Sequence, residues 1–269
     1  MPKVKVNDID IYYEVHGEGT LVVSIRGWGS SSQSWSPIFI EKLSQHYKLI
    51  IFDNRGTGRT SKPDTRYSIE MMADDTAGLL ETINITKAHI VGFSMGGMIA
   101  QQFAIKYPEK TKGLVIACSH PGVSVAPPSQ YAREIMEYMI SKPRDMSQRE
   151  LQKLVMSLYS TPEYIENHGE EMLDAAISAK LIPTPGYVSR RQLDAIMEFS
   201  SIDELPLIKA PTLVIHGERD AWVPVVNGRI IAERVPGAKL TLFKESGHAF
   251  IEQRIEMIET ILGFLKKVD

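Results

Sequence analysis

One stretch decides the reading: "HIVGFSMGGMIAQQFAIKYPE", residues 89–109. A short apolar run ends in a Gly-x-Ser-x-Gly pentapeptide, Gly92 to Gly96, and a helix-like run follows from Gly97 to Tyr107. Strand, tight turn and helix in that order is the setting a nucleophile elbow requires. The flanking residues have to be small, because the turn is sharp. Such a turn lifts the Ser94 hydroxyl above the strand, at a helix N-terminus. Free backbone N–H groups and the helix dipole favour developing negative charge there. The plain alternative is a glycine turn with Ser94 as a helix N-cap, and the pentapeptide alone leaves both readings open.

A serine hydroxyl is a poor nucleophile without a base. His248, one of seven histidines, stands in "KESGHAFIEQ", between the apolar run "KLTLF" and the final helix-like segment. A loop in that place reaches over the C-terminal edge of an open α/β sheet, where such sheets carry their sites. A base histidine needs an acid to hold its tautomer. Asp220, in "PTLVIHGERDAWVP", directly follows an apolar run. The order Ser94, Asp220, His248 is that of α/β hydrolases, and three residue types after three strands are far more specific than one. The alternatives are a surface capping histidine and a solvated turn carboxylate. An oxyanion needs two donors. The backbone N–H of Met95 is the first candidate. The second is the N–H of Trp28, in the glycine-bearing loop "RGWGSSSQSW".

Around these motifs the chain alternates. "KVKVN" and "DIYYEV" read as two antiparallel strands. "TLVVSI", "YKLIIF", "AHIVGF", "GLVIAC", "PTLVIHG" and "KLTLF" are the apolar runs of strands buried on both faces of a parallel sheet. Helix-like segments over Ile69–Ile83, Gly97–Tyr107, Asn227–Val235 and Ile251–Val268 separate them, which predicts an α/β fold. From Pro121 to Leu205 the rhythm breaks. No buried strand is evident, and "YAREIMEYMIS", "SQRELQKLVMSLY", "EEMLDAAISAK" and "SRRQLDAIMEF" read as helices. The expected organisation is a core of residues 1–120 and 206–269, with a helical cap inserted over 121–205.

Bulk properties narrow the function. With 269 residues, 43% hydrophobic and 23% charged, the chain suits one large α/β domain, and a net charge of −3 gives no basic excess for nucleic acid. The N-terminal "MPKVKVNDIDIYYE" lacks the form of a signal peptide, and no apolar run nears the ~20 residues of a membrane span. Cys118 is the single cysteine, so no disulfide framework or cysteine metal cluster is expected, and a cytoplasmic location is. "GTGRTS" at Gly56 lacks the third glycine of a dinucleotide fingerprint. "HGEE" at His168 reads as a solvated helix start rather than a metal site. His120 follows "GLVIAC" and is a candidate pocket residue, while Cys118 beside it suits the core. Of the cap methionines, which mostly fill its core, Met139 and Met197 are candidates for an acyl pocket, and Trp222 for a wall of the site.

"RGWG", "DNRGTGRTSKP", "GFSMGG", "GERDAWVPV" and "SGHAFIEQ" resemble the α/β-hydrolase superfamily that holds microbial carboxylesterases, 3-oxoadipate enol-lactonases and cofactor-free haloperoxidases. The likeness covers nearly the whole chain. "SRRQLDAIMEFSSIDELPLIKAPTLVIHG" is most similar to the esterase and enol-lactonase side. The resemblance implies a mostly parallel eight-stranded sheet flanked by helices, a cap over a Ser-His-Asp site, no cofactor and no metal. It also implies a structural role for the loop of Asp53 and Arg55. The chain departs from the pattern at Arg26-Gly27, where relatives usually carry His-Gly. Arg26 either braces the oxyanion loop through backbone carbonyls or binds a substrate carboxylate. The resulting expectation is a serine hydrolase of small-molecule carboxylic esters or lactones. Perhydrolysis and C–C hydrolysis by the same residues, or a slow ligand sensor of the same fold, are the alternatives.

Overall fold

The structure is a computed structural model that describes residues 3–141, 146–179 and 181–269. Its centre is an eight-stranded sheet in the order β1-β2-β4-β3-β5-β6-β7-β8. The strands are β1 (Lys3–Val6), β2 (Ile9–His16), β3 (Leu21–Ile25), β4 (Lys48–Phe52), β5 (Ala88–Phe93), β6 (Thr111–Ala117), β7 (Thr212–Gly217) and β8 (Lys239–Phe243). β1–β2 and β2–β4 pair antiparallel, and every later pairing is parallel. The two alternating segments and the six apolar runs of the sequence supply these eight strands.

The central strands are apolar throughout because both faces are covered. Side chains alternate between two cores along each strand. Val23, Ile90, Leu114, Ile116 and Val214 join one core; Val22, Val91, Val115, Leu213 and Ile215 join the other. The first core is filled by α2 (Ile69–Thr82), α3 (Met95–Lys106) and α8 (Val226–Arg234), the second by α1 (Pro37–Ser44) and α9 (Arg254–Val268). α1 carried no clear signal in the sequence. It is eight residues long, and Ser36 starts it by accepting the Phe39 N–H, with proline at the first turn.

Between β6 and β7 lie α4 (Gln130–Ser141), α5 (Gln148–Tyr159), α6 (Pro162–Ser178) and α7 (Gly186–Glu198). Ser147 and Glu150 form a capping box at the start of α5. α6 corrects the expected boundary. Thr161 caps it and Pro162 begins it, so it starts eight residues before Glu170 and His168 sits inside the helix. His168 is exposed there, its ring 4.4 Å from that of Tyr164. Residues 142–145 of the inserted segment, and Lys180, where the expected third helix ends, lie outside the described residues.

The ends of the insertion are tied together by an antiparallel bridge between Gly122 and Ser200 and by Ser201 N–H donating to Pro121 O at 2.8 Å. Its helices dock on loops of the sheet. Trp28 Nε1 donates to Ser189 O at 2.8 Å, Gly29 N to Gln192 Oε1 at 2.9 Å, and Ala249 N to Tyr159 O at 3.0 Å.

Candidate active site

Parallel strands deliver their following loops to one edge. Phe93 pairs with Ala117, Ala117 with Ile215, and Gly217 with Phe243. The residues after β5, β6, β7 and β8 therefore emerge side by side: Ser94, then Cys118 to His120, then Asp220, then His248.

Ser94 has φ 57° and ψ −122°, a conformation costly for a non-glycine residue. The surroundings hold it there. Ser94 N–H donates to Ala117 O at 2.9 Å, and Ser94 O accepts from Gly97 N at 2.8 Å and Ser119 Oγ at 2.9 Å. A Cβ at Gly92 would run into the Gly96 carbonyl, and one at Gly96 into the Ile25 carbonyl. The elbow thus needs glycine on both sides, as its sequence supplies. Ser94 heads α3 by position, yet its side chain makes no capping bond. Among the described residues its hydroxyl bonds to no protein group, His248 included. Such contacts are often loose before substrate arrives.

Asp220 and His248 meet directly: His248 Nδ1 lies 2.7 Å from Asp220 Oδ2, both side chains almost wholly buried. Asp220 Oδ1 accepts the N–H groups of Trp222 at 2.9 Å and Val223 at 2.8 Å. A second histidine, His216, brings Nε2 to 3.3 Å from Asp220 Oδ2 and 2.9 Å from Val223 O. Burial alone would raise the Asp220 pKa. The charge of His248 and the hydrogen bonds of both histidines outweigh burial and hold it at about 2. His216 was not singled out in the sequence. Its signal was a histidine four residues before the candidate acid, at the end of the same strand.

The loop after β3 closes over the elbow. A Cβ at Gly27 would lie 3.0 Å from Ser94 Cβ, so this glycine permits the approach. Trp28 has its indole bonded to Ser189 O. Met95 is the first residue of α3, so its N–H has no partner within the helix. Trp222 is buried with its ring 5.2 Å from His248, 6.0 Å from Trp28 and 5.1 Å from Tyr159. Tyr159, at the end of α5, is a second residue that the sequence did not single out; its ring lies 6.1 Å from His248.

His120 is buried, and its Nδ1 accepts the Gly122 N–H at 3.1 Å. Burial, helped by the charges of His216 and His248, lowers its pKa to about 4. It is a neutral imidazole with Nε2–H as its donor. Cys118 is buried in the second core, with its thiol pushed well up by burial. Met139 is partly buried against the first core, which also holds Trp28 and Trp222. Met197 corrects the sequence expectation. It is 46% exposed, because α7 turns the stripe Val188, Gln192, Ala195 and Ile196 inward and leaves Met197 outside it. Arg26 also departs from the brace reading. Its guanidinium bonds to no backbone carbonyl among the described residues and stacks instead over Trp35, 4.7 Å from the ring centre. The bracing of that backbone comes from Asn54, whose Nδ2 donates to Arg26 O at 2.9 Å.

The loop of Asp53 and Arg55 is tied into the framework. Asp53 accepts Ser32 N at 2.6 Å and Arg59 N at 2.7 Å, and Arg55 pairs with Asp75 and Asp8. Among the described residues no group of three or more His, Cys, Asp or Glu side chains could hold a metal ion, and no helix is long and apolar enough to cross a membrane.

Residues 20–254 match the family described as alpha/beta hydrolase fold. The putative carbamate hydrolase RutD of Azorhizobium caulinodans is 28% identical over 276 residues, covering 100% of both chains. The poly(3-hydroxyalkanoate) depolymerase of Ectopseudomonas oleovorans is 30% identical over 248 residues, 90% of this chain and 83% of that protein. Among solved structures, a thermophilic esterase from Thermogutta terrifontis with malate bound superposes with a TM-score of 0.83 at 26% identity, over 100% of this chain and 99% of the esterase. The enol-lactonase of Burkholderia xenovorans LB400 does so with a TM-score of 0.83 at 24% identity, over 98% and 100%. The strand order, the elbow after β5 and the match over most of the sequence lead to one conclusion: this chain belongs to the alpha/beta hydrolase family.

Proposed function

We propose that the chain is a serine hydrolase of carboxylic esters or lactones that works through an acyl-enzyme on Ser94. The observation that carries this reading is the buried 2.7 Å contact between Asp220 and His248 on the same sheet edge as the strained Ser94 elbow. Asp220 stays ionised at working pH and fixes the proton of His248 on Nδ1, leaving Nε2 as the base. His248 takes the Ser94 proton as the hydroxyl attacks the carbonyl. The N–H groups of Met95 and Trp28 hold the oxyanion, His248 protonates the leaving alkoxide, and water repeats the cycle. The helices of residues 121–205 act as a cap, docked on the oxyanion loop through Trp28 and Gly29. Tyr159, Trp222 and His120 wall the site, and Met139 is the cap methionine retained as a candidate.

The relatives support an acyl-transfer reading: a polymer of 3-hydroxyalkanoates is joined by ester bonds, and an ester and a carbamate both offer a carbonyl to a nucleophile. The test combines a phosphonate ester label with a panel of short and long acyl esters, lactones and a carbamate. The label should attach at Ser94. Ser94→Ala should lose about 10⁶-fold in turnover, the scale for removing such a serine. An adduct elsewhere with Ser94→Ala still active would sink the assignment. A preference for the carbamate would replace the ester reading.

A further inference from the structure

Arg26 immediately precedes Gly27, the residue that abuts Ser94. Its guanidinium lies over Trp35 and is close enough to Tyr159 and Cys118 for each to feel its charge. No carboxylate pairs with it among the described residues, and the one other charged side chain acting on it is a cation, Arg254. Its Nε is buried and without a hydrogen-bond partner. Arg55 shows what the chain does elsewhere with a buried guanidinium: it meets that charge with Asp8 and Asp75. An arginine does not shed its proton, and a buried charge is costly unless paired. Arg26, Tyr159 and Ser94 are each half-buried, so part of each residue's surface stays open. The Tyr159 hydroxyl has no hydrogen-bond partner among the described residues either. A cationic fork next to the glycine that abuts Ser94, and a phenol near His248, lack an anion among the described residues.

We propose that Arg26 and Tyr159 form a carboxylate subsite next to Ser94, so that the substrate class is an ester or lactone bearing a second, ionised carboxyl group. The guanidinium receives the carboxylate in bidentate fashion, Tyr159 donates a further hydrogen bond, and Trp35 supports the face of the fork. Holding the substrate at its far end places the scissile carbonyl between Ser94 and the Met95 and Trp28 N–H groups. This deepens the hydrolase reading and rests on it.

The test compares three probes: p-nitrophenyl hydrogen glutarate, with the carboxylate on the acyl part; acetylated p-hydroxybenzoate, with it on the leaving group; and the neutral p-nitrophenyl methyl glutarate. In Arg26→Gln the kcat/KM ratio of anionic to neutral ester should fall by about 30-fold or more on one anionic probe, and Arg26→Lys should restore part of it. The affected probe shows which end of the substrate the subsite holds. A second measurement needs only the wild type: glutarate should bind, by calorimetry, at least about tenfold more tightly than glutaramide. Unchanged ratios in both variants, or equal binding of diacid and diamide, overturn the subsite while leaving ester hydrolysis in place. Absence of turnover on every ester overturns the hydrolase reading instead, and the glutarate measurement then decides the subsite alone.

Discussion

α3 and α6 are built in opposite ways. α3 buries nine of its twelve residues, including Met95, Gly96 and Gly97 of the elbow, between the sheet and its neighbours. α6 is seventeen residues long and buries only Leu173. It is tied to α5 by surface ion pairs, Arg149 with Glu170 and Asp174 and Lys153 with Glu170. The helix that sets the candidate nucleophile is locked on all sides, so a strained serine survives at its head. The helix in the insertion rests on contacts of small worth. The lesson is a division of labour: the sheet edge holds its loop residues firmly in place, while the inserted helix is held by weaker surface contacts.

The comparison can be broken at its rigid end first. Asp220→Asn should cost roughly 10⁴-fold in turnover. Three donors around Asp220, the N–H groups of Trp222 and Val223 and the Nδ1 of His248, rely on it, and an amide offers only one oxygen. Unfolding should stay cooperative. Near-normal turnover would mean that the buried pair is structural and another carboxylate serves.

A smaller effect concerns pH. His120 has a pKa of about 4 in the fold against 6.5 ordinarily, because burial and the charges of His216 and His248 disfavour its protonated form. Between those values the unfolded chain binds a proton that the folded chain does not. Stability therefore falls as pH drops from 6.5 to about 4, and the loss is complete below that. The full shift corresponds to roughly 3 kcal/mol. His120→Gln, which keeps an acceptor for the Gly122 N–H, should flatten this part of the stability curve, measured by denaturant unfolding at a series of pH values. A curve with the same slope as wild type would assign the acid sensitivity to other groups.

The smallest effect sharpens the other end. Arg149→Ala removes the two ion pairs of an exposed side chain and should leave the denaturant midpoint close to that of the wild type, with turnover of a neutral ester unaltered. A large fall in the midpoint would show that α6 is anchored far more firmly than its burial suggests.

Six of the eight strands were legible as continuous apolar runs and β1 and β2 by their alternation, and both are local properties. The candidates Ser94, Asp220 and His248 stood out because each lies in the turn or loop after such a run. Most of what was missed depended on distant partners. α1 is short and takes its apolar face from the second core, and Met197 was turned outward by the packing of α7. The start of α6 is the exception: a local Thr-Pro cap sets it where the apolar periodicity is weak. His216 and Tyr159 gain meaning only beside Asp220, Trp222 and His248.

By itself the sequence determined the strand–turn–helix units, the glycines that a tight elbow demands and the chain order of three reactive residue types. Each follows from the sterics of a few neighbouring residues. Only the tertiary structure decided that Asp220 is shared by two histidines, that Tyr159 arrives from the insertion, and that Arg26 stands over Trp35 with no carboxylate paired to it among the described residues. Those outcomes depend on which side chains a folded core brings within a few ångströms of each other across long stretches of chain, and no local pattern encodes that distance.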